Sequence, residues 1–311
     1  MHEAIVDALG QHHPYARHID TFLSDLRNEG KATNTLTAYR KDLIAFAAHT
    51  DGEIGELDVE PVRAFLSEQA ELAASTRARR RASVSAFCRW AYRHDLITAN
   101  PVDKTNPVSV PKGLPRPAAT RDVARLLNAI CSRRPARTVP LDVIRDRVLF
   151  ELVYVTGARI SEACGVHVED LDLRVDDEHV SLHGKGGKIR TALLDDRGFV
   201  ALLRLYLNRA GYTTGPLFRA SINGAGGPLT PSAARARLHT YCAAAQVTIT
   251  PHQLRHTHAQ ELTDADVNPE VIRRRLGHSR LETTLIYAQA KDSMVDNEIR
   301  AARRRRDAAR R

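Results

Sequence analysis

Six side chains spread over the second half of this sequence are of types that bind phosphate or move protons. They are Arg159 in TGARISEACGV, Lys185 in GKGGK, His252 and Arg255 in TPHQLRHTH, and His278 and Tyr287 in VIRRRLGHSRLETTLIYAQ. Two guanidiniums suit the non-bridging oxygens of a phosphodiester, because each presents paired donors in a rigid fork and stabilises the charge that builds at phosphorus during displacement. Histidine and lysine carry protons to and from attacking and leaving oxygens. An attacking tyrosine would store the broken bond as a phosphotyrosine, which a later hydroxyl reverses without ATP.

Each residue also has a plainer reading. Taken alone, Arg159 suits a solvated surface arginine, and Tyr287 suits an interfacial packing residue. Lys185 sits in a glycine-rich turn, but the G-x-x-x-x-G-K spacing of a nucleotide loop is absent and Ile189 stands where Ser or Thr would be needed. His252 and His256 are four apart, as zinc ligands on a helix would be, yet Gln253 occupies the place of the glutamate in H-E-x-x-H. The inventory contains no carboxylate pair, no metal cluster and no nucleotide loop, so no cofactor and no metal is expected.

The elements that must position these groups are partly legible from local signals. Pro251 fits a first helical position, so His252 and Arg255 share a face near a helix N-terminus, where free N–H groups favour anions. Alternating runs at HVSLHG and KIRTALLD flank GKGGK and predict a hairpin with Lys185 at its tip. Arg159 follows a Thr-Gly break at the start of a new helix. Gly277 reads as a helix end, and Ser279 with Glu282 as the capping box of a helix running to about Gln289. On that helix Leu281, Leu285 and Ala288 share an apolar stripe from which Tyr287 points away.

The N-terminal part reads as four helices between Tyr15 and about Asn100. Ile19, Phe22, Leu23 and Leu26 keep a helical period, as do Leu36, Tyr39, Leu43 and Phe46, then Val62, Phe65 and Leu66, and finally Val84, Phe87 and Ala91. NPVDKTNPVSVPKGLPRP follows, whose prolines predict an irregular linker over 101–118. Helical pattern resumes at RDVARLLNAI and IRDRVLFELVYV. The expected organisation is a helical domain over 1–100, the linker, and a domain of mixed α and β over 119–311. The fold class is mainly α with a small β component.

The 311 residues include 46 Lys+Arg and 37 Asp+Glu, a formal charge of +9 that favours a polyanionic partner. Within the first hundred residues, Arg77, Arg79, Arg80, Arg81, Arg89 and Arg93 form a run without acids, and Arg77, Arg79, Arg80 and Arg81 are candidate contacts for such a partner's anionic groups or, more plainly, a solvated face. The four cysteines are scattered singly and read as reduced core residues. Neither a signal peptide nor a membrane-length apolar run is present, which predicts a cytoplasmic protein.

In its ordered set Arg159, Lys185, His252-x-x-Arg255, His278 and Tyr287, within ARISE, GKGGK, HQLRH, LGH and LIYA, the chain resembles the tyrosine recombinases of the phage-integrase family over about residues 15 to 300. The resemblance implies a SAM-like helical core-binding domain and an α+β catalytic domain that close as a clamp on double-stranded DNA. It implies that Tyr287 attacks to give a 3′-phosphotyrosyl link and a free 5′-hydroxyl, that Arg159 and Arg255 bind the scissile phosphate, and that Lys185 is the general acid. His252 would assist proton transfer and His278 would hydrogen-bond the phosphate. It also implies a homo-oligomer, a tetramer on two DNA sites, with the tail after Tyr287 docking on a neighbouring subunit through Met294, Val295, Ile299 and Ala302 ahead of the basic block Arg303 to Arg306. Little chain precedes the first core-binding helix, so an additional arm-site-binding domain is not expected. A type IB topoisomerase shares related chemistry, but LGH and the compact helical N-terminal part fit recombinases better. A regulator that has lost catalysis is disfavoured by the complete residue set.

Overall fold

Amphipathic periods of the kind read above need a partner face, and the chain divides them between two units, Met1–Gly113 and Leu114–Arg311. The computed structural model describes residues 2–10, 12–111, 116–131, 139–221 and 226–277.

Unit one holds α1 (His2–Leu9), α2 (Pro14–Asn28), α3 (Thr33–Ala47), α4 (Val59–Ser67) and α5 (Ala74–Arg93). The apolar faces of α2 to α5 meet in one core where Ile19, Phe22, Leu43, Phe46, Phe65 and Phe87 are buried. Trp90 belongs to that core and donates its indole N–H to Asp25 Oδ2 at 2.8 Å, which satisfies the one polar atom that its burial would otherwise strand.

Two local expectations differ from the fold. A helix precedes Tyr15: α1 buries Ile5 in the same core, an element of eight residues, too short for its apolar positions to establish a period. The stretch from residue 101 does not begin as irregular chain. Asn100 caps a 3-10 turn, Pro101–Lys104, by accepting from the Val102 N–H at 3.1 Å, and Val102 is buried in the helical core. Proline costs nothing at such a first position, because the N–H it lacks has no acceptor there.

Unit two holds α6 (Thr120–Cys131), α7 (Leu141–Thr156), α8 (Ile160–Cys164), β1 (Leu171–Asp172), β2 (His179–His183), β3 (Ile189–Leu193), α9 (Arg197–Ala210), α10 (Pro231–Ala245), α11 (Pro251–Asp264) and α12 (Pro269–Leu276). The strands form an antiparallel sheet in the order β1-β2-β3, with Val180 opposite Ala192 and His183 opposite Ile189. Val180, Leu182 and Ala192 face inward, as alternation requires, while Ile189 and Leu193 face out. β1 is too short to be read from alternation. The long helix α7 runs through the middle of the core, with Val148, Leu149, Leu152 and Val153 buried between α6, α9 and α11. The architecture is mainly helical with a small sheet. Among the described residues no helix is long and apolar enough to cross a membrane.

Candidate active site

The Thr-Gly-Ala-Arg sequence turns the chain from α7 into α8. Gly157 ends α7 in the left-handed region, at φ 62° and ψ 25°, and a Cβ there would lie 2.5 Å from Leu276 Cδ2 and 2.8 Å from His258 Cδ2. Only glycine fits both the conformation and the space. Arg159 then takes extended backbone as the N-cap of α8, and its side chain is 47 % exposed.

Glu162, one turn on, fixes that arginine. Its carboxylate is 5 % exposed and accepts the Arg159 backbone N–H at 2.9 Å, Arg159 Nη1 at 2.6 Å and Arg190 Nη2 at 2.8 Å. Burial pushes the Glu162 carboxyl up, but the Arg159 N–H and the two guanidiniums outweigh it and hold the group below its ordinary value.

The start of α11 is built by a reciprocal cap. Thr250 Oγ1 accepts the Gln253 N–H at 3.2 Å, Gln253 Oε1 accepts the Thr250 N–H at 3.0 Å, and Pro251 takes the first turn. His252 and Arg255 follow one turn apart. Arg255 is 2 % exposed and donates from Nη1 to the Gly157 carbonyl at 2.6 Å and from Nη2 to the Leu276 carbonyl at 2.8 Å. Its charge therefore sits on the carbonyl ends of α7 and α12, where the orphan acceptors and the negative ends of both helix dipoles favour a cation.

His252 packs edge-on against His256, with ring centroids 4.1 Å apart. Partial burial, Arg255 and Arg159 lower the His252 imidazole from its ordinary value, which leaves it neutral and able to accept a proton near pH 7. Burial, together with His252 and Arg255, takes His256 down to about 4.

Arg159, His252 and Arg255 line one cavity of about 830 Å³, closed on another side by Arg235, Leu238 and His239 of α10. A second cavity of about 660 Å³ shares Arg159 and is lined by Gly184 and Lys188 of the β2–β3 hairpin, by Arg190 and by Gly277. The backbone of Lys185 lies in the 3-10 turn Lys185–Gly187 at the hairpin tip, and its side chain lies outside the described residues. His278, Tyr287, the Ser279–Glu282 cap and the tail also lie outside them; the last described residue, Gly277, ends α12 in the left-handed region at φ 65°.

The arginines of α5 are less alike than their sequence suggests. Asp42 of α3, 2 % exposed, accepts Ser83 Oγ at 2.7 Å, is bonded by Arg79 Nη1 and lies 3.7 Å from Arg80 Nε. Arg81 turns to the protein instead, donating from Nη2 to the carbonyls of Thr105 at 2.8 Å and Val102 at 3.1 Å and from Nε to Thr105 Oγ1 at 3.1 Å. The acid-free reading of this run fails in three dimensions, because its counter-charge comes from another helix.

Sequence reasoning passed over Glu162, Arg190 and Asp42. A signal existed for two of them: Glu162 is the acid of the ARISE stretch, three residues from Arg159, and Asp42 interrupts the apolar stripe of α3 next to Leu43.

The phage integrase family matches residues 119–294, and the phage integrase N-terminal SAM-like domain matches residues 19–95. The tyrosine recombinase XerD of Chlorobaculum tepidum is 30% identical over 297 residues, covering 91% of this chain and 94% of that protein. The tyrosine recombinase XerC of Rhodospirillum centenum is 34% identical, over 83% of this chain and 78% of its own length. Among solved structures, the XerH site-specific recombinase bound to a palindromic difH substrate, in a post-cleavage complex, superposes with a TM-score of 0.68 at 19% identity over 85% of this chain and 78% of that one. A lambda integrase tetramer bound to a Holliday junction gives 0.67 at 19% identity, over 85% and 77%. At that identity the two structures speak for the fold.

Proposed function

Since the chain belongs to the phage integrase family and is a tyrosine recombinase that cleaves and religates DNA at specific sites, we propose that Tyr287 is its nucleophile, served at one scissile phosphate by Arg159, Lys185, His252, Arg255 and His278. The observation that carries this reading is the convergence of Arg159, His252 and Arg255 on a single cavity from two elements more than ninety residues apart. Arg255 is held rigid by two helix-end carbonyls and Arg159 by Glu162, so both present charge to a phosphate without reorganising.

In this scheme the Tyr287 oxygen attacks phosphorus, the bond to the 5′ oxygen breaks, and a 3′-phosphotyrosyl link forms. Neutral His252 takes up the tyrosine proton, and Lys185 donates a proton to the leaving 5′ oxygen. His278 adds a hydrogen bond to the phosphate. The reverse attack by a 5′-hydroxyl of a partner strand reseals the backbone, so bond energy is conserved and ATP is not consumed. The substrate is double-stranded DNA, and exchange between two sites calls for a homotetramer, with the segment after Tyr287 docking between subunits. The locale is the cytoplasm, on the nucleoid. In unit one, Arg77, Arg79 and Arg80 contact phosphates, and Arg81 supports them by holding the turn after Asn100.

The test is Tyr287→Phe on a nicked duplex carrying the consensus that the wild-type protein selects from a randomised duplex library. The variant binds as wild type does and forms no covalent adduct, and wild-type cleavage persists in EDTA without ATP, because the charges at the phosphate belong to arginine and lysine. An adduct at the wild-type level in the Phe variant, or strict dependence of cleavage on a divalent ion, refutes the scheme.

A further inference from the structure

Arg190 stands on β3, outside the six residues assigned above, and is tied to the site twice. Its Nη2 donates to Glu162 Oε2 at 2.8 Å, on the carboxylate whose other oxygen takes Arg159 Nη1. Its aliphatic stem lies against the α12 terminus, where a Cβ on Gly277 would sit 2.9 Å from Arg190 Nε and 3.0 Å from Cδ. Gly277 immediately precedes His278. We propose that Arg190 is a positioning residue for strand cleavage, which holds the Glu162 carboxylate against Arg159 and, by packing on Gly277, fixes that arginine relative to the turn leading to His278. The proposal rests on the reading of Arg159 as a phosphate ligand.

The geometry favours positioning over contact with DNA. The Arg190 side chain is 14 % exposed, against 47 % for Arg159, and its Nη1 is enclosed with no hydrogen-bond acceptor among the described residues. A buried donor left without an acceptor is costly and persists in native proteins mainly where function requires the side chain in place. The charged groups around the pair explain what the arginine does. Glu162 is faced by Arg159 from α8 and by Arg190 from β3; Arg190 is faced in turn by Arg275 of α12, whose Nη2 donates to the Val155 and Leu193 carbonyls. Lys188, Arg273 and Arg274 line the same cavity, and Glu270 pairs with the last two. Among the described residues Glu162 is thus the one buried carboxylate joining hairpin and α8. Without Arg190 it keeps only a half-exposed partner, its ionisation is less favoured, and Arg159 gains freedom to swing.

Full-length Arg190→Gln and Arg190→Lys are compared with wild type on the selected nicked duplex, reading affinity, its salt dependence and the adduct rate per bound complex. The Gln variant binds as wild type does, while its adduct rate falls roughly tenfold to a hundredfold, the scale of loss when a reacting group is misplaced by about an ångström. The same rate rises more steeply with pH than in wild type, because Glu162 ionises less readily without the guanidinium, and the Lys variant recovers part of the rate. A merely structural role would not produce the pH response or the lysine rescue. An unchanged rate per bound complex overturns the proposal. So does a fall in affinity and salt dependence at constant rate, which would make Arg190 a DNA ligand. If the Gln variant does not fold, a Lys variant with a wild-type rate overturns it. Arg159→Ala on the same duplex separates the two readings: wild-type cleavage by that variant sinks the phosphate-ligand assignment, whereas its inactivity beside a fully active Arg190→Gln sinks only the role of Arg190.

Discussion

Replacing Gly157 by alanine tests whether the turn between α7 and α8 is what seats Arg255. Two costs follow from the structure. The residue sits at φ +62°, where an L side chain loses about 1–2 kcal/mol. The added methyl would also meet Leu276 Cδ2 at 2.5 Å and His258 Cδ2 at 2.8 Å; those side chains are 0% and 8% exposed, so neither has open space to retreat into. Overpacking of this kind costs about 1–3 kcal/mol. The sum, about 2–5 kcal/mol, is a large part of the roughly 5–15 kcal/mol that holds a typical domain folded. Relief of the clash moves the Gly157 carbonyl, the acceptor of Arg255 Nη1, so the adduct rate falls along with stability. Urea unfolding followed by far-UV circular dichroism reads the loss, and hydrogen exchange of peptides from α7, α11 and α12 locates it. Fluorescence of Trp90, the chain's single tryptophan, reports on the N-terminal unit and serves as the internal control. A loss below about 1 kcal/mol with unchanged protection in α11 would refute this account of the turn.

Acid should weaken the catalytic unit through His258, whose Nε2 is buried without a hydrogen-bond partner among the described residues and whose imidazole is taken down to about 3 by burial, then by Arg275, Arg255 and Arg190. The unfolded chain protonates this histidine below about pH 6.5 while the folded one does not, so the stability present above 6.5 declines by about 1.4 kcal/mol per pH unit, or about 2 kcal/mol by pH 5. His258→Leu should flatten that part of the urea-midpoint profile between pH 5 and 7, and an unchanged slope would contradict the assignment. On α5, Arg80→Ala should lower the slope of log affinity against log salt by about 1 with little loss of stability. Arg81→Ala should instead cost about 1–3 kcal/mol in Trp90-detected unfolding, because three buried or half-buried acceptors lose their donor. The reverse pattern would exchange their roles.

Local signals carried the reading furthest. Pro251 at the first turn of α11 and Gly277 as a left-handed helix end are contained in a few residues each, and the alternation on either side of GKGGK has the period of the hairpin it forms. The buried faces of α2, α3 and α5 follow from their spacing for the same reason. What periodicity does not carry is pairing between distant positions. Glu162 joins Arg159 to a residue 28 positions on, Arg255 is anchored 98 and 21 residues away, and Asp42 meets Arg79 across 37. Another such network holds α7 to α10, where buried Asp146 accepts Arg145 Nη2 at 2.8 Å, Arg237 Nε at 2.5 Å and Tyr241 Oη at 2.7 Å. In α5 a run of like charge concealed two different jobs, since only the fold shows that Arg81 points at carbonyls.

The most direct measurement is the chemical identity of the residue joined to DNA. Wild-type protein trapped on the nicked duplex, treated with nuclease and then trypsin, should yield the peptide Leu281–Lys291, LETTLIYAQAK, carrying a nucleotide phosphate on Tyr287, and the released strand should end in a free 5′-hydroxyl. Nucleotide mass on a peptide without Tyr287, or a free 3′-hydroxyl with the protein on the 5′ end, would contradict the assignment of nucleophile and polarity on which the rest depends.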